Sequence, residues 1–178
     1  MKTLYIIRHA KSGWSQPDTR DFERPLSKRG KKDLNTIGSY LALRGICPDV
    51  ILSSCALRAQ QTADILAKKI NFDGEKHYLE ALYLSSLEDL REIIMIQENG
   101  VDTMFIVGHN PQLHELVNSF IDEHINKLPT LGVVAINFDI SSWSDIENVK
   151  GKLNFFIFPK QFKYYMPRQI RWYISEEV

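Results

Sequence analysis

Apolar residues recur along the chain in two rhythms. Short unbroken runs at residues 4–7, 49–52 and 103–107 have the length of strands and no polar alternation, which predicts strands buried on both faces. Between them the spacing shifts to three and four. Leu34, Ile37 and Leu41 form one such set, and Ala59, Ala63, Leu66 and Ile70 a second. Leu87, Leu90 and Ile94 form a third, and Leu113, Leu116, Val117, Phe120 and Ile121 a fourth. Each set predicts a helix with one apolar face. Ser85, with Glu88 three residues on, has capping-box spacing for the third helix. Asn110–Pro111 reads as an N-cap followed by a first-turn proline for the fourth. Strands alternating with helices predict a mostly parallel sheet covered on both faces, an α/β three-layer sandwich. After Pro129, residues 131–140 and 152–158 are strand-like, a late pair that would complete the sheet with room for an antiparallel edge. Tyr164, Tyr165, Trp172 and Tyr173 then stand among Lys160, Lys163, Arg168 and Arg171, a stretch whose pattern assigns no element. There is no repeat, low-complexity tract or linker, so residues 1–178 are expected to form one domain.

Composition narrows the class. A chain of 178 residues can bury one core unaided, and its 44% hydrophobic and 25% charged residues are ordinary for a globular protein. Basic and acidic residues number 22 each. That balance disfavours a general nucleic-acid binder and makes any positive field local. Cys47 and Cys55 belong to no CxxC pair, and both are expected as buried thiols rather than a disulfide or zinc pair. The opening apolar run reaches only four residues before Arg8, too short for a signal peptide. No run approaches the roughly 20 residues of a membrane span. A cytoplasmic location without membrane contact is the expectation.

In open α/β sheets ligands bind just beyond the carboxyl ends of the strands. The first strand ends in Arg8–His9. The second ends in Ser53–Ser54 and runs into a helix whose first turns carry Arg58. The strand at 103–107 ends in Gly108–His109–Asn110–Pro111. Two histidines and two arginines therefore reach one rim from three strands. The set suits phosphoryl transfer. Arginine forks pair with phosphate oxygens, a neutral imidazole can attack phosphorus, and a protonated one can stabilise the oxygens. Singly, each has a plainer reading: Arg58 as a solvated helix residue, His109 as a core imidazole with a satisfied hydrogen bond. No metal or other cofactor is expected. His109 and His114 are five apart rather than four, Glu115, Asp122 and Glu123 follow no metal-ligand order, and there is no Walker loop.

At these residues the sequence resembles the histidine phosphatase superfamily, and within it the short phosphohistidine phosphatases of the SixA type. The resemblance is carried by four ordered blocks: residues 8–14 (RHAKSGW), 21–30 (DFERPLSKRG), 53–63 (SSCALRAQQTA) and 107–111 (VGHNP). It implies that His9 is a nucleophile phosphorylated during the cycle, and that Arg8, Arg58 and His109 complete the phosphate pocket. Ser15 falls where relatives often carry an asparagine that touches the phosphate. Glu80, after the third strand, is the candidate general acid by position. The implied activity is a metal-independent phosphatase acting on phosphohistidine in a protein. The leaving group bears on this choice, because an alkoxide needs a proton in the transition state whereas a protonated imidazole leaves readily. Between Lys69 and Ser85 there is also no room for a large cap over the site, which suits a protein side chain as substrate. The alternatives are a broad phosphomonoesterase acting on small phosphorylated metabolites and a non-catalytic phospho-ligand binding module. Binding of RNA or membrane by the basic aromatic stretch at the end is a lesser reading; a packed strand with a solvated face is expected there.

Overall fold

The computed structural model describes residues 1–14 and 18–165, with the side chains of Tyr164 and Tyr165 outside the description. The order is β1 (Lys2–Arg8), α1 (Lys28–Leu43), β2 (Val50–Ser54), α2 (Leu57–Lys69), β3 (Glu75–Leu79), α3 (Leu87–Met95) and β4 (Thr103–Gly108). It continues with α4 (Gln112–Phe120), β5 (Val133–Phe138), β6 (Lys152–Ile157) and α5 (Pro159–Tyr165). Short 3-10 segments cover Asp21–Glu23, Glu80–Leu82 and Trp143–Asn148. One sheet runs β3-β2-β4-β1-β5-β6. The first four strands are mutually parallel, β5 is antiparallel to β1, and β6 is antiparallel to β5. This is the mostly parallel α/β sandwich, with the late pair at one side.

The unbroken apolar runs follow from burial on two faces. Along β1, Leu4 and Ile6 enter the core beneath α3 and α4, while Tyr5 and Ile7 enter the core beneath α1 and α2. β4 divides likewise, Met104 and Ile106 one way and Phe105 and Val107 the other. Each fully buried side chain of this size contributes on the order of 2 kcal/mol. β3 is different. It is a sheet edge whose Glu75, Lys76, His77 and Tyr78 are exposed, so its sequence carries no apolar run.

Several local expectations need correction. The capping box of α3 is formed by Ser86 and Asp89, not Ser85 and Glu88. Ser86 Oγ accepts from the Asp89 amide at 3.1 Å, and Asp89 Oδ2 accepts from the Ser86 amide at 2.7 Å. Asn110 does not cap α4; its Nδ2 donates to the Leu128 carbonyl at 2.9 Å, and α4 starts at Gln112. Ile121 is buried but extended (φ −115°, ψ 158°), just past the helix. Both thiols are free, with Cys55 buried as expected and Cys47 exposed on the approach to β2. The aromatic stretch begins as helix α5 rather than a strand, with Phe162 edge-on to Tyr40 at 5.1 Å; Arg168, Arg171, Trp172 and Tyr173 lie outside the described residues. Among the described residues, no helix is long and apolar enough to cross a membrane.

The start of α1 is fastened to the segment leaving β1. Ser27 Oγ accepts from the Gly30 amide at 3.0 Å and donates to the Lys11 carbonyl at 2.9 Å. A Cβ on Gly30 would stand 2.2 Å from that carbonyl oxygen, so only glycine permits the approach.

Candidate active site

The carboxyl ends of β1, β2 and β4 are neighbours at the middle of the sheet. Arg8 stands opposite Gly108 in the β1–β4 register, and the His9 amide continues the ladder to the Gly108 carbonyl at 3.0 Å. His9 and His109 are thereby set side by side, their ring centroids 5.1 Å apart. Arg58, in the first turn of α2, reaches between them: Nε donates to His9 Nε2 and Nη2 meets His109 Nδ1, each at 3.4 Å. Thr62 ties this helix to β1's end, donating to the Arg58 carbonyl at 2.7 Å and accepting from the Ala10 amide at 3.0 Å. The amino end of α2 adds its dipole to the same place.

The hydrogen bonds settle the tautomers of the neutral rings. The Ala10 carbonyl can only accept, so His9 Nδ1 carries the proton of their 2.8 Å bond and Nε2 keeps its lone pair. Guanidinium only donates, so His109 Nδ1 likewise keeps a lone pair and Nε2–H donates to Ser54 Oγ at 2.8 Å. Burial, with neighbouring His109, Arg58 and Arg8, lowers the His9 pKa to about 3 despite its bond to Ala10. Burial and Arg58 lower that of His109 to about 4, with Asp21 pulling the other way. Both rings are neutral at pH 7, and both lone pairs face one edge of one arginine.

Arg8 completes the rim. Its Nη1 donates to the Leu128 carbonyl at 2.9 Å, while Nε is buried with no partner among the described residues, and burial lowers the pKa of the group. A half-buried cation with a buried, unpaired donor is suited to an anion. Of the other residues predicted for the site, Glu80 begins the 3-10 turn after β3; its side chain is exposed, and its charge acts on Cys55 rather than on either imidazole. Ser15 lies outside the described residues.

Three residues not foreseen from the sequence belong to the same cluster. Asp21 accepts from Arg58 on both its carboxylate (Nη2, 3.0 Å) and its main-chain carbonyl (Nη1, 2.6 Å). Tyr83 donates to Asp21 Oδ2 at 2.9 Å and stands edge-on to His109. Arg24 lies 3.3 Å from Asp21 Oδ1, donates to Ser12 Oγ and covers the Trp14 ring at 4.6 Å. Asp21 comes from a loop turn with no periodicity; its place at the head of the 21–30 block was the one available signal. Among the described residues, no three His, Cys, Asp or Glu side chains are placed to hold a metal ion. A broad surface groove between the start of α1, residues 124–130 and the end of β6 contains neither imidazole, so convergent charge rather than concavity marks the site.

Comparison with known proteins agrees with this geometry. The model of the histidine phosphatase superfamily (branch 1) matches residues 4–115. An uncharacterized protein of Mycobacterium tuberculosis is 30% identical over 152 residues, covering 79% of this chain and 92% of the relative. An uncharacterized chloroplastic protein of Arabidopsis thaliana is 27% identical over 159 residues, covering 84% and 72%. The crystal structure of a proposed phosphohistidine phosphatase SixA from Agrobacterium tumefaciens is similar at a TM-score of 0.76 and 28% identity, covering 88% of this chain and 97% of that one. With an α/β sheet that sets two histidines and two arginines on one rim, and a family model spanning most of the strands that carry them, the chain belongs to the histidine phosphatase superfamily, branch 1, as a phosphatase of the SixA type.

Proposed function

We propose that the chain hydrolyses phosphohistidine in a protein through a phosphorylated His9, without a metal. The observation that carries this reading is the His9 lone pair. Nε2 is unprotonated, its ring is fixed through Nδ1–H to Ala10, and it faces the inner edge of Arg58 beside His109. In the first step Nε2 attacks phosphorus. The Nε2–P bond forms, the bond from phosphorus to the substrate imidazole breaks, and that imidazole leaves as the neutral ring once its free nitrogen is protonated. Water then attacks the phosphoenzyme, phosphate departs, and the Nε2 lone pair is restored.

Arg58 offers Nε–H and Nη2–H as a fork to two phosphoryl oxygens, and Arg8 adds its unpaired Nε–H. The arriving dianion favours protonation of His109, whose Nδ1–H would then donate to a third oxygen. Glu80 would act as proton donor to poorer leaving groups, and a broad activity on small phosphate esters depends on it. Its exposed side chain supports the imidazole leaving group instead, as does the short connection from β3 to α3, which holds only the Glu80–Leu82 turn. The alternative of a binding module without turnover is disfavoured by the retained nucleophile.

The test is a phosphoenzyme trapped at stoichiometric yield, stable to alkali and labile to acid. It should be absent in His9→Ala, with turnover lowered by at least about a thousandfold. Turnover retained in His9→Ala would end the mechanism. Rapid hydrolysis of sugar phosphates that collapses in Glu80→Gln would replace phosphohistidine with the metabolite reading.

A further inference from the structure

The pocket contains one carboxylate that these steps do not use. Asp21 is separated from the imidazoles by a single guanidinium, and on charge alone it should weaken anion binding. The hydrogen bonds of Arg58 supply the compensation. An arginine has five N–H donors, and four here have defined partners. The two short bonds, 2.6 and 3.0 Å, lie on the outer edge and go to Asp21. The two long ones, 3.4 Å each, lie on the inner edge and go to the imidazoles. The outer grip is strong and the inner contacts are weak enough for phosphoryl oxygens to replace. Asp21 is itself fixed, by the Tyr83 hydroxyl on Oδ2 and Arg24 beside Oδ1.

We propose that Asp21 is the positioning residue of the phosphate pocket: held by Tyr83, it grips the outer edge of Arg58 and so presents the inner edge to a phosphoryl group lying between His9 and His109. The inference rests on the phosphate-pocket reading above. It assigns Asp21 no proton transfer. Against the opposing pull of burial, Tyr83 and Arg58 hold its carboxyl below the usual range, so it is an anion at neutral pH and acts through the arginine.

Asp21→Asn gives the positioning and purely electrostatic roles opposite signs. It keeps size and an acceptor but removes the charge. Coulomb repulsion alone would make tungstate, a phosphate-like probe, bind more tightly to the variant. Loss of positioning makes it bind at least about tenfold more weakly by calorimetry. Tyr83→Phe should weaken binding about threefold, and the double variant should fall no further than Asp21→Asn, because both act through one guanidinium. A spectroscopic readout accompanies these: the Arg58 Nε–H resonance should be observable in the native protein and broaden away in Asp21→Asn while the remaining spectrum stays folded. Unchanged or tighter tungstate binding in Asp21→Asn, or a retained Nε–H signal, would overturn the clamp. Tyr83→Phe decides in the same way if Asp21→Asn fails to fold. If Arg58→Ala binds tungstate as well as the native chain does, the pocket reading falls instead.

Discussion

β1 carries a cation near each end, Lys2 fully buried and Arg8 half-buried, and the two are treated in opposite ways. At the amino end, Lys2 is 1% exposed and its ammonium reaches three acceptors: the carbonyls of Asn99 and Val101 at 2.6 and 2.9 Å, and Asp102 Oδ1 at 2.9 Å. Every donor is used, so nothing remains for a ligand. At the carboxyl end, Arg8 bonds to Leu128 and leaves a buried Nε–H without a partner among the described residues. Arg58 nearby spends two donors on long contacts to imidazoles. A cation with every donor satisfied belongs to the framework, whereas one with a buried donor left unpaired can still receive an anion.

This contrast predicts a clean separation of effects. The largest is on turnover. Arg8→Met should lower kcat/KM by about a hundred- to a thousandfold, the scale of one lost transition-state donor, with little change in stability. Lys2→Met should do the reverse. Denaturant titration should show a loss of about 2–3 kcal/mol from the lost charge-assisted bonds of the ammonium, with kcat/KM per folded molecule unchanged. Comparable activity losses in both variants would erase the distinction. Next in size is ligand stabilisation: tungstate at a hundred times its Kd should raise stability by about 2.7 kcal/mol, an effect retained in Lys2→Met and diminished in Arg8→Met.

The smallest effect concerns pH. His9 and His109 have folded pKa values of about 3 and about 4, below the ordinary 6.5. Below 6.5 the unfolded chain takes up protons at these rings that the folded chain refuses. Their share of stability is therefore complete above that value and is lost as pH falls from 6.5 toward the folded values, by at most about 1.4 kcal/mol per pH unit for each ring. Denaturation curves at pH 7 and pH 5 should converge between the native chain and a His9→Gln, His109→Gln variant as pH falls. A constant gap would mean that the rings are not held neutral.

Legibility from sequence followed burial. β1, β2 and β4 announced themselves because water touches neither face, and their polar termini pointed to Arg8, His9, Arg58 and His109. The edge strand β3 had no such signal. In Ser85–Ser86, two adjacent serines each had an acidic residue three positions on, and composition could not tell which would cap. The contacts of Asp21 and Tyr83, and the partner of Ser54, were missed for a shared reason. Their importance lies in what they touch, and those contacts span 37 residues between Asp21 and Arg58, 62 between Asp21 and Tyr83, and 55 between Ser54 and His109. Local periodicity carries no information over such distances.

The sheet order has a consequence for how the molecule comes into being. β1 is made early, yet its neighbours are β4 and β5, with Thr3 paired to Thr103 and Ile7 to Val133. Throughout synthesis of the intervening chain its apolar run has no native partner, and loop closure over such separations slows folding. Residues 4–7 therefore stay unpaired until residues 103–138 have been made, and the rim is completed only when Leu131 closes onto the carbonyls of Arg8 and His9.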